Sequence, residues 1–174
     1  MFATINCTRL LMVVAILVSM CIPSYAQGEA YLFNKRRAAA GFGHVAWGYM
    51  RGADYYTYGS LDSEGSVMTS RPNGFWDRSG SHQIMIATFK NLGYDTYIKV
   101  IVDAPSVENA IQTEEAVINT NYNLFTNDCM EVAHNILSAY NAALPTPFLD
   151  GLFPNVWYDD AASDWQCKPI PLQT

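Results

Sequence analysis

Two segments hold residue types that could perform covalent chemistry together. One is Gly43-His44-Val45-Ala46-Trp47-Gly48-Tyr49, with a single histidine. The other is Asn127-Asp128-Cys129-Met130-Glu131-Val132-Ala133, with a single cysteine. A thiol is a strong nucleophile only as thiolate, and an imidazole nearby can take its proton and later return it to a leaving group. That pair suffices for attack on an amide, ester or thioester carbonyl. Little else in the chain looks chemical. No C-x-x-C, H-x-x-H or H-E-x-x-H spacing joins the histidines and cysteines, so the sequence predicts no metal site and no cofactor. There is no Gly-rich phosphate loop and no basic groove.

The elements that must position these residues can be read from periodicity. Cys129, Val132, Ala133, Ile136, Leu137 and Tyr140 are spaced i, i+3, i+4, i+7, i+8 and i+11, which predicts a helix from about Cys129 to Tyr140 with one buried stripe. Asp128 and Glu131 fit a capping box with Asp128 as N-cap, so backbone N–H groups should surround the sulfur. Such groups favour thiolate and can hold an oxyanion, with Asn127 a second candidate donor. The Asp128 and Glu131 charges oppose thiolate formation, and a cationic imidazole would offset them. His134 lies five positions after Cys129, roughly 140° round the helix, and should face away. His82 sits in a polar segment and reads as solvated. His44 is the remaining candidate.

A strand from His44 to Met50 would put His44, Ala46 and Gly48 on one face and Val45, Trp47 and Tyr49 on the other. The small face is the one expected to receive the Cys129 helix. Arg51-Gly52-Ala53-Asp54 reads as a hairpin turn leading to a return strand Tyr55–Gly59. A short turn would bring Ser60 to Asp62 opposite His44, where a carboxylate or a hydroxyl could orient the imidazole, Asp62 being the chemically better choice. Ala30–Asn34 and Tyr94–Val102 read as further strands. Ser81–Asn91 and a segment from Ser106 to about Asn119 read as helices. Leu61–Ser79 reads as a long surface loop in which Phe75 and Trp76 are expected to fold back onto the core. Phe153–Asp159 reads as one last turn before an irregular tail.

The amino-terminal stretch has the form of a secretory leader. Arg9 precedes an apolar run from Leu10 to Ile22, and Ser24-Tyr25-Ala26 places small residues where cleavage after Ala26 is expected. The run is shorter than a membrane span and stops at Pro23. The expected mature chain, 27–174, is one domain in a secreted or periplasmic protein. It is rich in aromatic residues and low in charge, as a folded globule should be. With a net charge of −6, a nucleic-acid partner is not expected. Of four cysteines, Cys129 and Cys167 would survive cleavage. In an oxidising compartment they could form a disulfide, which sets up a second reading, a non-enzymatic secreted binding domain with a Cys129–Cys167 bridge.

The order of the two segments resembles the circularly permuted papain-like cysteine hydrolases. These include permuted NlpC-type enzymes, lecithin–retinol acyltransferase-like proteins and PPPDE-type isopeptidases. In ordinary papain-like enzymes the cysteine helix precedes the histidine strand; here His44 comes first and Leu124-Phe125-Thr126-Asn127-Asp128-Cys129 follows. The resemblance spans about Phe42 to Tyr140. It implies an α+β fold with an antiparallel sheet packed on a Cys-bearing helix, Cys129 as nucleophile and His44 as base. It also implies a peptide, amide or lipid-like substrate, with cell-wall peptide crosslinks expected by analogy.

Overall fold

The computed structural model describes residues 27–62, 74–120, 128–147 and 153–172. The leader, the middle of the 61–79 segment, Asn127 and the approach to Cys129 lie outside them. The fold is α+β: a six-stranded antiparallel sheet with helices on both faces. The strands are β1 (Gly28–Asn34), β2 (Val45–Gly52), β3 (Tyr55–Leu61), β4 (Phe75–Gly80), β5 (Thr96–Val102) and β6 (Ile170–Pro171), in the spatial order β4-β3-β2-β1-β5-β6. Four α-helices occur among the described residues: α1 (His82–Asn91), α2 (Val107–Val117), α3 (Cys129–Ala139) and α4 (Pro154–Asp164).

Because both faces are covered, the central strands are buried along their length instead of alternating with solvent. On one face Ala30, Leu32, Val45, Trp47 and Tyr49 pack with the stripe of α3 and with Ala110, Trp157, Tyr158 and Ala161 of α2 and α4. On the other, Tyr31, Phe33, Ala46 and Tyr58 pack with Met85 and Phe89 of α1. The predicted stripe on α3 is buried throughout.

The helix lies on the Val45-Trp47-Tyr49 face, not on the small face. Large rings fill the gap between sheet and α3, and Tyr49 meets Tyr140 at 5.0 Å between centroids. Gly48 instead makes room for α1, since a Cβ there would stand 2.8 Å from Met85 Sδ.

Other departures are local. β4 arises within the segment read as a loop, and Phe75 and Trp76 are buried in it as expected. The last turn read at Phe153–Asp159 extends to a three-turn helix, with Phe153 as N-cap and Pro154 in the first turn, where proline is pre-organised. The tail is not wholly irregular, because Ile170 and Pro171 pair with Tyr97 and Thr96.

Candidate active site

α3 lies along β2 and sets where its two ends fall. At its carboxyl end the Tyr140 hydroxyl donates to the Met50 carbonyl at 2.6 Å, near the end of β2. Its amino end therefore reaches the opposite edge, where β2 begins and β3 ends. There the capping box forms: Asp128 Oδ1 accepts from the Met130 and Glu131 N–H groups at 2.8 and 3.1 Å, and the Glu131 side chain accepts from the Asp128 N–H. Asp128 claims the second and third helical N–H groups and leaves that of Cys129.

His44 sits one residue before β2. The β2–β3 hairpin pairs Trp47 with Gly59, which carries Ser60 and Asp62 to its side. His44 Nε2 lies 2.8 Å from Asp62 Oδ1 and 2.9 Å from Ser60 Oγ. Asp62 is held from its other oxygen by Trp76 Nε1–H, which donates to Oδ2 at 2.9 Å. Ser60 donates to the Val45 carbonyl and accepts from the Tyr94 hydroxyl. Tyr94, buried below the ring, has its centroid 5.9 Å from that of His44. With Nε2 occupied, Nδ1 is the ring nitrogen free to face the thiol.

The Cys129 thiol acts on that ring electrostatically. Burial alone would lower the His44 pKa, but the charge and hydrogen bonding of Cys129, together with those of Asp62, outweigh it and push the value up to about 10. The imidazolium is felt at Asp128 as well. Burial raises that carboxyl to about 6, opposed first by the helix N–H groups it caps and then by the His44 charge. Burial also raises Tyr94, as do Asp62 and Cys129. One cation thus lies among a thiol and two carboxyl groups at the sheet edge. Cys129 is 5% exposed, whereas His44 keeps 19% of its side chain accessible and forms the open side of the pair.

His44, Asp62 and Cys129 are therefore brought together; Asn127 lies outside the described residues. His134 faces away toward Trp157, as its helical position dictates. His82 is not simply solvated, because its ring lies against Tyr31 and Tyr56. Cys129 and Cys167 are both free thiols, so the disulfide of the binding-domain reading is not formed. Sequence reasoning missed Trp76 and Tyr94 as partners of the site. Trp76 was legible only as an aromatic residue expected in the core; its contact with Asp62 needs the β3–β4 pairing, which no local pattern announced.

Comparison with family models, curated proteins and solved structures returned no match. Among the described residues no cluster of His, Cys, Asp or Glu could hold a metal ion, and no helix is long and apolar enough to cross a membrane.

Proposed function

We propose that this protein is an exported cysteine hydrolase or acyltransferase of the permuted papain-like kind, acting on an amide, ester or thioester. The observation that carries the reading is His44, bonded through Nε2 to Asp62 and coupled to the Cys129 thiol. Asp62 and Ser60 fix the ring, and Trp76 fixes Asp62. The proton of the pair rests on the His44 imidazole, and the Cys129 sulfur attacks the substrate carbonyl. The Cys129 N–H, which the cap does not claim, donates to the oxyanion. The imidazolium then protonates the leaving group, and the neutral ring activates water or a second acceptor to release the acyl group from sulfur. In sequence order the histidine strand precedes the cysteine helix, and the antiparallel sheet against a Cys-bearing helix agrees with the permuted arrangement. The amino-terminal leader directs it to a secreted or periplasmic setting, where peptide crosslinks in cell wall are the first substrates to try.

The test is turnover of a panel of peptide, amide, ester and thioester substrates, including cell-wall muropeptides, by the mature chain. Cys129→Ala and His44→Ala should each lower it by 10²-fold or more, in line with the usual size of acid–base contributions. Undiminished hydrolysis by Cys129→Ala would overturn the reading.

A further inference from the structure

The connection between β1 and β2 that delivers His44 takes an unfavourable course. Ala39, Ala40, Gly41 and Gly43 all have positive φ, at 48°, 58°, 98° and 99°. A non-glycine residue in the left-handed region costs roughly 1–2 kcal/mol, so two alanines held there need outside support. Internal bonds supply part of it: Lys35 and His44 exchange both backbone hydrogen bonds, and the Gly43 N–H reaches the Ala38 carbonyl.

From outside, Asp95 Oδ2 accepts from the Arg36 N–H at 2.7 Å and Lys35 Nζ donates to the Leu92 carbonyl at 2.8 Å, but the turn at 41–43 is held by one residue of α4. Asn155 Nδ2 donates to the Arg36 carbonyl at 3.1 Å and to the Gly41 carbonyl at 2.9 Å, while its Oδ1 accepts from Asn34 Nδ2 at 3.1 Å. Its backbone N–H donates to the Phe42 carbonyl at 3.1 Å. One residue thus holds the last residue of β1, the start of the connection and the two residues before Gly43. A Cβ on Gly43 would run into the Asn155 side chain, which shows how closely the two backbones approach. The neighbouring Arg36–Asp159 ion pair is exposed, and such pairs contribute little.

We propose that Asn155 is a positioning residue for the reactive pair: from α4 it locks the 35–44 connection into the strained course that sets His44 against Cys129. The proposal rests on the Cys129–His44 pairing put forward above. Nothing local in Pro154-Asn155-Val156 signals it, because the asparagine acts on backbone more than a hundred residues earlier.

The experiment measures iodoacetamide alkylation of Cys129 and the titration of the His44 ring by NMR in the mature chain, with melting temperature followed in parallel. Asn155→Ala should slow alkylation at pH 7 by about tenfold or more and move the His44 midpoint down by at least about one unit, toward an ordinary imidazole. Asn155→Asp matches the side chain in size and keeps the acceptor while losing both donors, so it reads the same effect if the alanine variant unfolds. Asp159→Asn should stay within about twofold of wild type. A lowered melting temperature with alkylation and midpoint unchanged would make Asn155 merely structural and overturn the proposal, as would an equal fall in Asp159→Asn. If His44→Ala alkylates as fast as wild type, the pairing itself fails and takes the proposal with it. If His44→Ala is slow while both Asn155 variants match wild type, only the role of Asn155 is lost.

Discussion

His44 meets the Asp62 carboxylate, the Ser60 hydroxyl and the Cys129 thiol where β2 begins and β3 ends, and its protonation governs the chemistry proposed for the site. An imidazole buried alone would lose its proton more readily, but this one faces a thiol and a carboxylate and is held up to about 10. Its folded value is raised above the ordinary 6.5, so the interactions of the imidazolium contribute stability that is full below about pH 6.5. That contribution is lost as pH rises through about 10. NMR titration of the wild-type ring should therefore show imidazolium through neutral pH, with a midpoint well above 7. Asp62→Asn should lower that midpoint and reduce turnover about 10- to 100-fold, since the amide can still orient the ring but supplies no charge. A midpoint unchanged in Asp62→Asn would mean that the short Nε2–Oδ1 contact carries no electrostatic weight.

At the scale of elements, α3 was legible because each of its signals agrees with the others. Asp128 caps, Glu131 completes the box, and the stripe from Cys129 to Tyr140 is continuous. The hairpin turn was legible from Gly52-Ala53-Asp54, and its shortness brings Asp62 beside His44. The face that receives α3 was not legible. Small residues admit whichever helix is near, and that choice belongs to the crossovers, not to β2 itself. β4 was missed because Asp77, Arg78 and Ser79 are polar and exposed and Gly80 carries no side chain, leaving only Phe75 and Trp76 as strand signal. Asn155 was unreadable for a different reason: its bonds are all to distant segments.

α2 offers a separate test at this scale. Glu114 is 7% exposed and lies against the Tyr49 hydroxyl. Burial pushes its pKa up to about 8, so the neutral acid is the form favoured on folding. Stability from this site is full below about pH 4.5 and declines as pH rises through about 8, because a buried carboxylate must then form. Glu114→Gln should remove that decline and leave the variant about 1–3 kcal/mol more stable than wild type above pH 8, read from urea unfolding at several pH values. Equal alkaline slopes for the two proteins would show that Glu114 ionises freely.

For the whole molecule, the sheet is covered on both faces, and His44, Asp62 and Cys129 lie at the end where β2 begins and β3 ends. The chain is acidic overall, with a net charge of −6, yet the site is built round a cation. Export after cleavage at Ala26 predicts an amino terminus at Gln27, which amino-terminal sequencing of the secreted protein checks. An intact Met1 terminus on exported protein would contradict the leader. In an oxidising compartment Cys129 and Cys167 should remain unpaired, because the first is engaged with His44 and the second lies beside the β5 residue Lys99.

The most direct test of the Cys129–His44 pairing is the rate of Cys129 alkylation by iodoacetamide as a function of pH, in wild type and in His44→Ala. The pairing predicts that wild-type Cys129 reacts about tenfold or more faster than His44→Ala at pH 6–7, with the two rates converging near pH 10 as the imidazolium is lost. Superimposed profiles for the two proteins across that range would contradict it.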